Sequence, residues 1–240
     1  ITDQERLRKA RVHPLQLLSA LWTYQRGAGA RGSLTWEPVG QIVDALDAAF
    51  YLSFGNVEPT GKRIMLALDV SGSMTWGELG GFPGITPRVG SAAMALVTAN
   101  VEKHWFITGF SDYGTPIAGV RGGGLSVLSI SPRQRLDDVV RYIDNLGFGG
   151  TDCALPMLAA RKARWEVDAF VIYTDNETWA GRIHPAQALQ MYRDTMGINA
   201  KVVVVGMVAN HFSIADPADP GMLDVVGFDT AAPNLISDFI

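Results

Sequence analysis

From about residue 64 onward the chain alternates between two kinds of apolar pattern, and this alternation restricts the fold more than any other feature. Short continuous runs, "RIMLALDV", "HWFITGF", "DAFVIYTD" and "AKVVVVGM", read as strands. Between them, helical periodicity covers residues around 88–103, 134–146, 153–164 and 185–196. Strands that are apolar on both faces belong in a parallel sheet covered by helices on both sides, because a sheet with one wet face shows strict alternation instead. The expected architecture is therefore α/β, with a Rossmann-like, open, mostly parallel sheet and helices on both faces. Ligands of such sheets sit beyond the carboxyl ends of the strands. Asp69 and Asp175 fall at two such ends.

The first sixty residues follow a different rule. "HPLQLLSALWTYQ" places Leu15, Leu18, Leu21 and Trp22 on one side of a helix, and "WEPVGQIVDALDAAFYLSF" does the same with Val39, Ile42, Val43, Leu46, Ala49 and Phe50. Pro14 and Pro38 suit a first helical turn, and the Gly-rich "RGAGARGS" between cannot continue a helix. Two helices alone make a thin core, so they must pack on something. "GNVEPTGKR" ends the pattern, which divides the chain into an all-α segment, residues 1–61, and an α/β domain, residues 62–240. The opening "ITDQERLRKARVHP" already reads as helical and lacks an initiator Met, so the chain is expected to be part of a longer protein.

Charge follows the same division. Residues 1–63 hold eight Lys and Arg against six acids, and residues 64–240 hold twelve against eighteen. The second part is thus a poor nucleic-acid binder and a plausible cation binder, and DNA and membranes are not expected partners. The first part carries a basic cluster, Arg6, Arg8, Lys9 and Arg11, which reads either as a weak RNA contact or as a solvated helix face. The charged start is unlike a signal peptide, no stretch approaches a bilayer span, and the single Cys153 has no partner for a disulfide or thiolate site. A cytoplasmic location is expected. Cys153 is expected to be a small buried thiol, and His13, His104, His184 and His211, which show no ligand spacing, are expected to be structural.

Asp69 follows "IMLAL", and a carboxylate there costs several kcal/mol unless something compensates it. In an extended turn, residues two apart point the same way, so Asp69, Ser71 and Ser73 present a row of oxygens while Gly72 lets the chain bend. Hard oxygens suit a hard cation, Mg²⁺ foremost, with Mn²⁺ or Ca²⁺ as substitutes. Neutral hydroxyls beside one or two carboxylates leave such an ion with uncancelled positive charge. The competing structural reading is that these three residues merely cap a helix or satisfy a turn.

Asp-x-Ser-x-Ser at the end of the first strand resembles the metal-ion-dependent adhesion site of von Willebrand factor A domains. "GFGGTDCALP" supplies the Thr of that pattern at Thr151, and "FVIYTDNE" supplies its second Asp at Asp175. The resemblance implies that Ser71, Ser73 and Thr151 touch the metal, that Asp69 and Asp175 act largely through water, and that a partner's carboxylate takes the remaining position. "RVHPLQLLSALWTYQRG", "ALDAAFYLSFGNVEPTGKR" and "LDVSGSM" together resemble the C-terminal part of the Ro autoantigen family. That family joins a ring of helical repeats, the TROVE module, to a von Willebrand A domain. The resemblance implies that residues 1–61 are the last ring helices and that the whole protein is a monomeric, non-enzymatic scaffold for Y RNA and misfolded non-coding RNA. It also implies an acidic protein partner or small carboxylate at the metal. Fifteen Arg against five Lys fits a bacterial member.

Other chemistries fit less well. An aspartyl-phosphate phosphatase needs an acid two residues after its nucleophile, where this chain has Ser71. The Gly55–Lys62 stretch is misspaced for a phosphate loop, and neither Ser71 nor Ser111 sits in Gly-x-Ser-x-Gly. Asp152 and Glu177 either adjust the site's charge from a distance or cap helices. The alternative from another class is a free-standing adhesion or assembly module whose metal site is its whole function.

Overall fold

A computed structural model describes residues 2–29, 32–79, 82, 84–111, 124–146, 149–175, 181–208, 214–229 and 231–240. It begins with three helices, α1 (Gln4–Lys9), α2 (Pro14–Arg26) and α3 (Gly40–Leu52), the last running into a 3₁₀ turn, Ser53–Asn56. The α/β part follows as β1 (Arg63–Asp69), α4 (Pro87–Val101), β2 (His104–Phe110), β3 (Leu125–Val127), α5 (Leu136–Asp144), α6 (Leu155–Ala163), β4 (Ala169–Thr174), α7 (Pro185–Met196), β5 (Lys201–Gly206), β6 (Met222–Val226) and α8 (Ala232–Phe239).

The six strands lie in the order β3-β2-β1-β4-β5-β6, parallel except for the short β3, which pairs antiparallel with β2. The open, mostly parallel sheet expected from the apolar runs is present. The structure adds β3 and β6 at its edges. Successive residues of β1 serve opposite faces. Ile64, Leu66 and Leu68 join a core shared with α1 to α5 and α8, whereas Met65 and Ala67 join one shared with α6 and α7. From β1 the chain crosses to β2 on one side, and from β4 to β5 on the other. Where the direction of winding switches, the carboxyl ends of β1 and β4 border a crevice.

Helix α4 lies between the sheet and α2, which explains its run of buried small residues from Gly90 to Ala93. Leu15, Leu18, Phe50 and Phe54 reach the same core, so the N-terminal helices pack against the α/β part, whereas Val39 and Ile42, expected on the same stripe of α3, are exposed. Two details differ from expectation. The charged start forms its own short helix, separated from α2 by Arg11 at φ 48°, and Pro38 precedes Val39, the N-cap of α3, rather than lying in its first turn. Among the described residues no helix is long and apolar enough to cross a membrane.

His13 and His184, both followed by Pro, cap α2 and α7: each Nδ1 accepts from a backbone N–H two residues on, at 3.2 and 3.3 Å. Capping requires the neutral ring. Burial lowers the His13 pKa from 6.5 to about 4. Because the folded value lies below the unfolded one, the unfolded chain binds the proton more tightly. The contribution is therefore full above about pH 6.5 and is lost as pH falls toward 4. Partial exposure limits it to about 2–3 kcal/mol. His13→Asn keeps a cap without titrating, so urea melts between pH 7 and 4.5 should show a shallower loss for the variant; parallel losses would rule out this role.

Candidate metal centre

β1 delivers Asp69 to the crevice at the sheet's carboxyl edge, and its neighbours organise around it. The side chain is fully buried. Its Oδ1 accepts from the Ser71 N–H at 2.8 Å, and its Oδ2 accepts from the hydroxyls of Thr151 at 3.1 Å and Thr174 at 2.7 Å. Burial pushes the Asp69 carboxyl upward, hydrogen bonds from Ser71 and Thr174 oppose this, and the charge of Asp175 adds to the rise. Asp175, one residue past β4, has a buried Oδ1 with no hydrogen-bond partner among the described residues. Two carboxylates thus lie near enough to interact.

Ser71 occupies the N-cap position of a 3₁₀ turn, Gly72–Thr75, yet its side chain makes no capping bond. Its hydroxyl instead lies 3.0 Å from that of Ser73. Adjacent ligands of an octahedral Mg²⁺ at about 2.0–2.1 Å are themselves about 2.9 Å apart. An ordinary O–H···O bond has that spacing too, so it is the Asp175 oxygen, without a partner among the described residues, that favours a hard cation over a plain turn. Among the described residues no three His, Cys, Asp or Glu side chains form a cluster, so a soft-ligand site has no support there.

Arg88, near the N-terminus of α4, lies beneath this loop. Its guanidinium is 1% exposed and donates from Nη2 to the carbonyls of Val70 (3.2 Å) and Ser71 (2.9 Å). Its Nε lies 3.6 Å from Asp144. Burial pushes its pKa down, while Asp144, Asp69 and Asp175 raise it. The sequence reading missed Arg88 and Thr174. A cation in an otherwise apolar first helical turn, where the helix dipole disfavours it, was the available signal for Arg88.

The structure groups Asp69, Ser71 and Thr151 through direct bonds, Ser73 through Ser71, and Asp175 through its charge on Asp69. Asp152 accepts from Ala154 N at 3.0 Å, a turn bond to the N-cap residue of α6 rather than a cap of the helix itself, and Cys153 is fully buried. Glu177 and His211 lie outside the described residues. Arg6, Arg8, Lys9 and Arg11 are exposed around α1 and do not join this centre. The last three line a groove of about 1070 Å³ together with Glu5, Glu58 and Glu102, so the local charge there is mixed.

Comparison with known proteins agrees with this architecture. Residues 63–240 match the family described as the Ro60 vWA domain. The chain is similar over its full length to the RNA-binding protein RO60 of Deinococcus radiodurans, at 48% identity over 239 residues, and to that of Caenorhabditis elegans, at 45% over 241. It spans 43% and 36% of those two proteins. The crystal structure of the Deinococcus radiodurans RO (RSR) protein superimposes with a TM-score of 0.90 over 99% of this chain and 46% of that one.

Proposed function

We propose, because this chain belongs to the Ro60 vWA domain family, that it forms part of a non-enzymatic RNA-binding scaffold and itself supplies a divalent-cation centre for a protein partner. The observation that carries the reading is the convergence of three chain segments on Asp69 beside the buried Asp175 oxygen, which has no hydrogen-bond partner among the described residues. Ser71, Ser73 and Thr151 would hold the ion, with Asp69 and Asp175 acting through water. Mg²⁺ is the preferred ion. When bound it supplies uncancelled positive charge that attracts an acidic side chain or small carboxylate. Asp69 prepares the site by accepting a hydrogen bond from the Thr151 hydroxyl, which fixes the direction of that hydroxyl beside the carboxylate.

The relatives named as RNA-binding proteins are longer than this chain, so RNA contact is assigned mainly to the portion outside these 240 residues. Residues 1–61 would be the last helices of that portion, with Arg6, Arg8, Lys9 and Arg11 as a minor contact. Structured non-coding RNA of the Y RNA type is the proposed cargo, carried by a cytoplasmic monomer.

The full-length protein should bind such an RNA in a mobility-shift assay, with affinity falling steeply between 50 and 200 mM salt. If it retains metal binding but fails to bind RNA, the free-standing adhesion reading replaces the scaffold.

A further inference from the structure

At the opposite end of the sheet from the metal centre, the chain carries a second feature that a protein-binding role does not require. β1 runs from Arg63 to Asp69, so its two ends are about 20 Å apart. Beside the Arg63 end lies an open cavity of about 570 Å³ whose lining includes Phe106, Arg164 and Trp165. Phe106 and Trp165 stack with centroids 5.5 Å apart and planes 14° from parallel, and both rings remain partly exposed. Trp105, the neighbour of Phe106 in β2, borders the cavity but packs its ring against the core on the opposite face of the sheet. A half-exposed stacked pair at an open cavity leaves ring surface for a further ring.

The charges around these rings do not cancel. Arg63 is bound by Asp168, whose two oxygens accept at 2.6 to 3.0 Å, and by Glu166, which uses the cavity's own carboxylate. Lys103 is exposed and has no hydrogen bond or ion pair among the described residues. Arg164, the left-handed C-cap of α6 at φ 58°, donates to the neutral carbonyl of Thr195 at 2.9 Å and has no acidic partner among the described residues. The cavity is therefore basic and aromatic within a chain of net charge −4.

From this juxtaposition we infer that the cavity binds an unpaired nucleotide of single-stranded RNA, its base stacked on the exposed rim of the Phe106–Trp165 pair and its phosphates met by Lys103 and Arg164. Stacking platforms beside cations are how proteins hold single strands without reading sequence. An acidic peptide would satisfy the two cations and leave the rings unused. A duplex keeps its bases stacked within itself. The inference does not depend on the metal centre, and its test runs in EDTA so that failure of one reading leaves the other standing.

The probe is a fluorescein-labelled twelve-nucleotide oligo(U), followed by anisotropy with the 240-residue chain. Two phosphate contacts to a single strand give an expected log–log salt slope of about −1.4. Lys103→Glu combined with Arg164→Glu, both at the surface, should weaken binding at least tenfold, and Trp165→Leu at least fivefold. Melting curves establish that each variant is folded. Arg133→Glu with Arg141→Glu, exposed residues before and within α5, should change affinity less than twofold. The inference is overturned if oligo(U) does not bind, if only the Arg133/Arg141 variant loses binding, if a duplex of the same length binds as tightly, or if polyglutamate competes equally well.

Discussion

Asp69→Asn should abolish Mg²⁺- and Mn²⁺-induced stabilisation while leaving the metal-free protein almost as stable as before. The two halves of this expectation come from different physics. Asn matches the shape of Asp, its carbonyl oxygen can still accept from Ser71 N, and the hydroxyls of Thr151 and Thr174 can turn to accept from its amide. The substitution also removes the Asp69 charge, which burial and the neighbouring charge of Asp175 both disfavour. The metal-free variant should accordingly melt within about 3 °C of the wild type, corresponding to about 1 kcal/mol for a chain of this size. Metal binding is affected differently, because the lost charge is what a cation repays. At a concentration one hundred times its dissociation constant, an ion selective for the folded state adds about 2.7 kcal/mol, or about 5–10 °C in the wild type. Calorimetric melts with and without 10 mM Mg²⁺ separate the two. A variant that keeps the wild-type increment, or a wild type that shows none, would remove Asp69 from the centre.

Why this site was legible in sequence, and other features were not, follows from where each signal lies. Strands β1, β2, β4 and β5 are covered on both faces, so each appears as an unbroken apolar run. β3 has three residues, too few for any pattern, and β6 carries Asp224 in its centre, which accepts from Ile214 N and Ala215 N at 2.9 to 3.1 Å and interrupts the apolar run. Both are edge strands, with a neighbour on one side alone. In the site, Asp69, Ser71 and Ser73 are close in the chain, and Thr151 and Asp175 became visible through a family resemblance that spans distant loops. Thr174 belongs to β4 and looks like any β-branched strand residue until its hydroxyl is seen on Asp69. The two capping histidines were hidden for a similar reason: whether a ring nitrogen caps a helix depends on side-chain geometry that a His-Pro pair does not disclose.

Arg88 produces the second large effect. Arg88→Met keeps most of the apolar stem's volume and removes the guanidinium, so the Val70 and Ser71 carbonyls lose their donor and the carboxylates of Asp69 and Asp175 lose the cation beneath them. Removing one partner from a buried charged network costs about 3–5 kcal/mol, well above the typical loss for a point substitution. For this chain that is a fall on the order of 10 °C. Lysine distinguishes the two parts of the role. Arg88→Lys retains a positive charge and a donor for the carbonyls but loses the Nε contact with Asp144, so it should recover part of the loss. The double variant with Asp69→Asn tests the electrostatic part directly. If Arg88 is stabilised by the charge at Asp69, removing both should cost at least 1 kcal/mol less than the sum of the single losses, measured by urea denaturation without metal. Strict additivity would reduce Arg88 to a hydrogen-bonding prop for the Ser71 turn. A Met variant melting within 1 °C of the wild type would deny it either role.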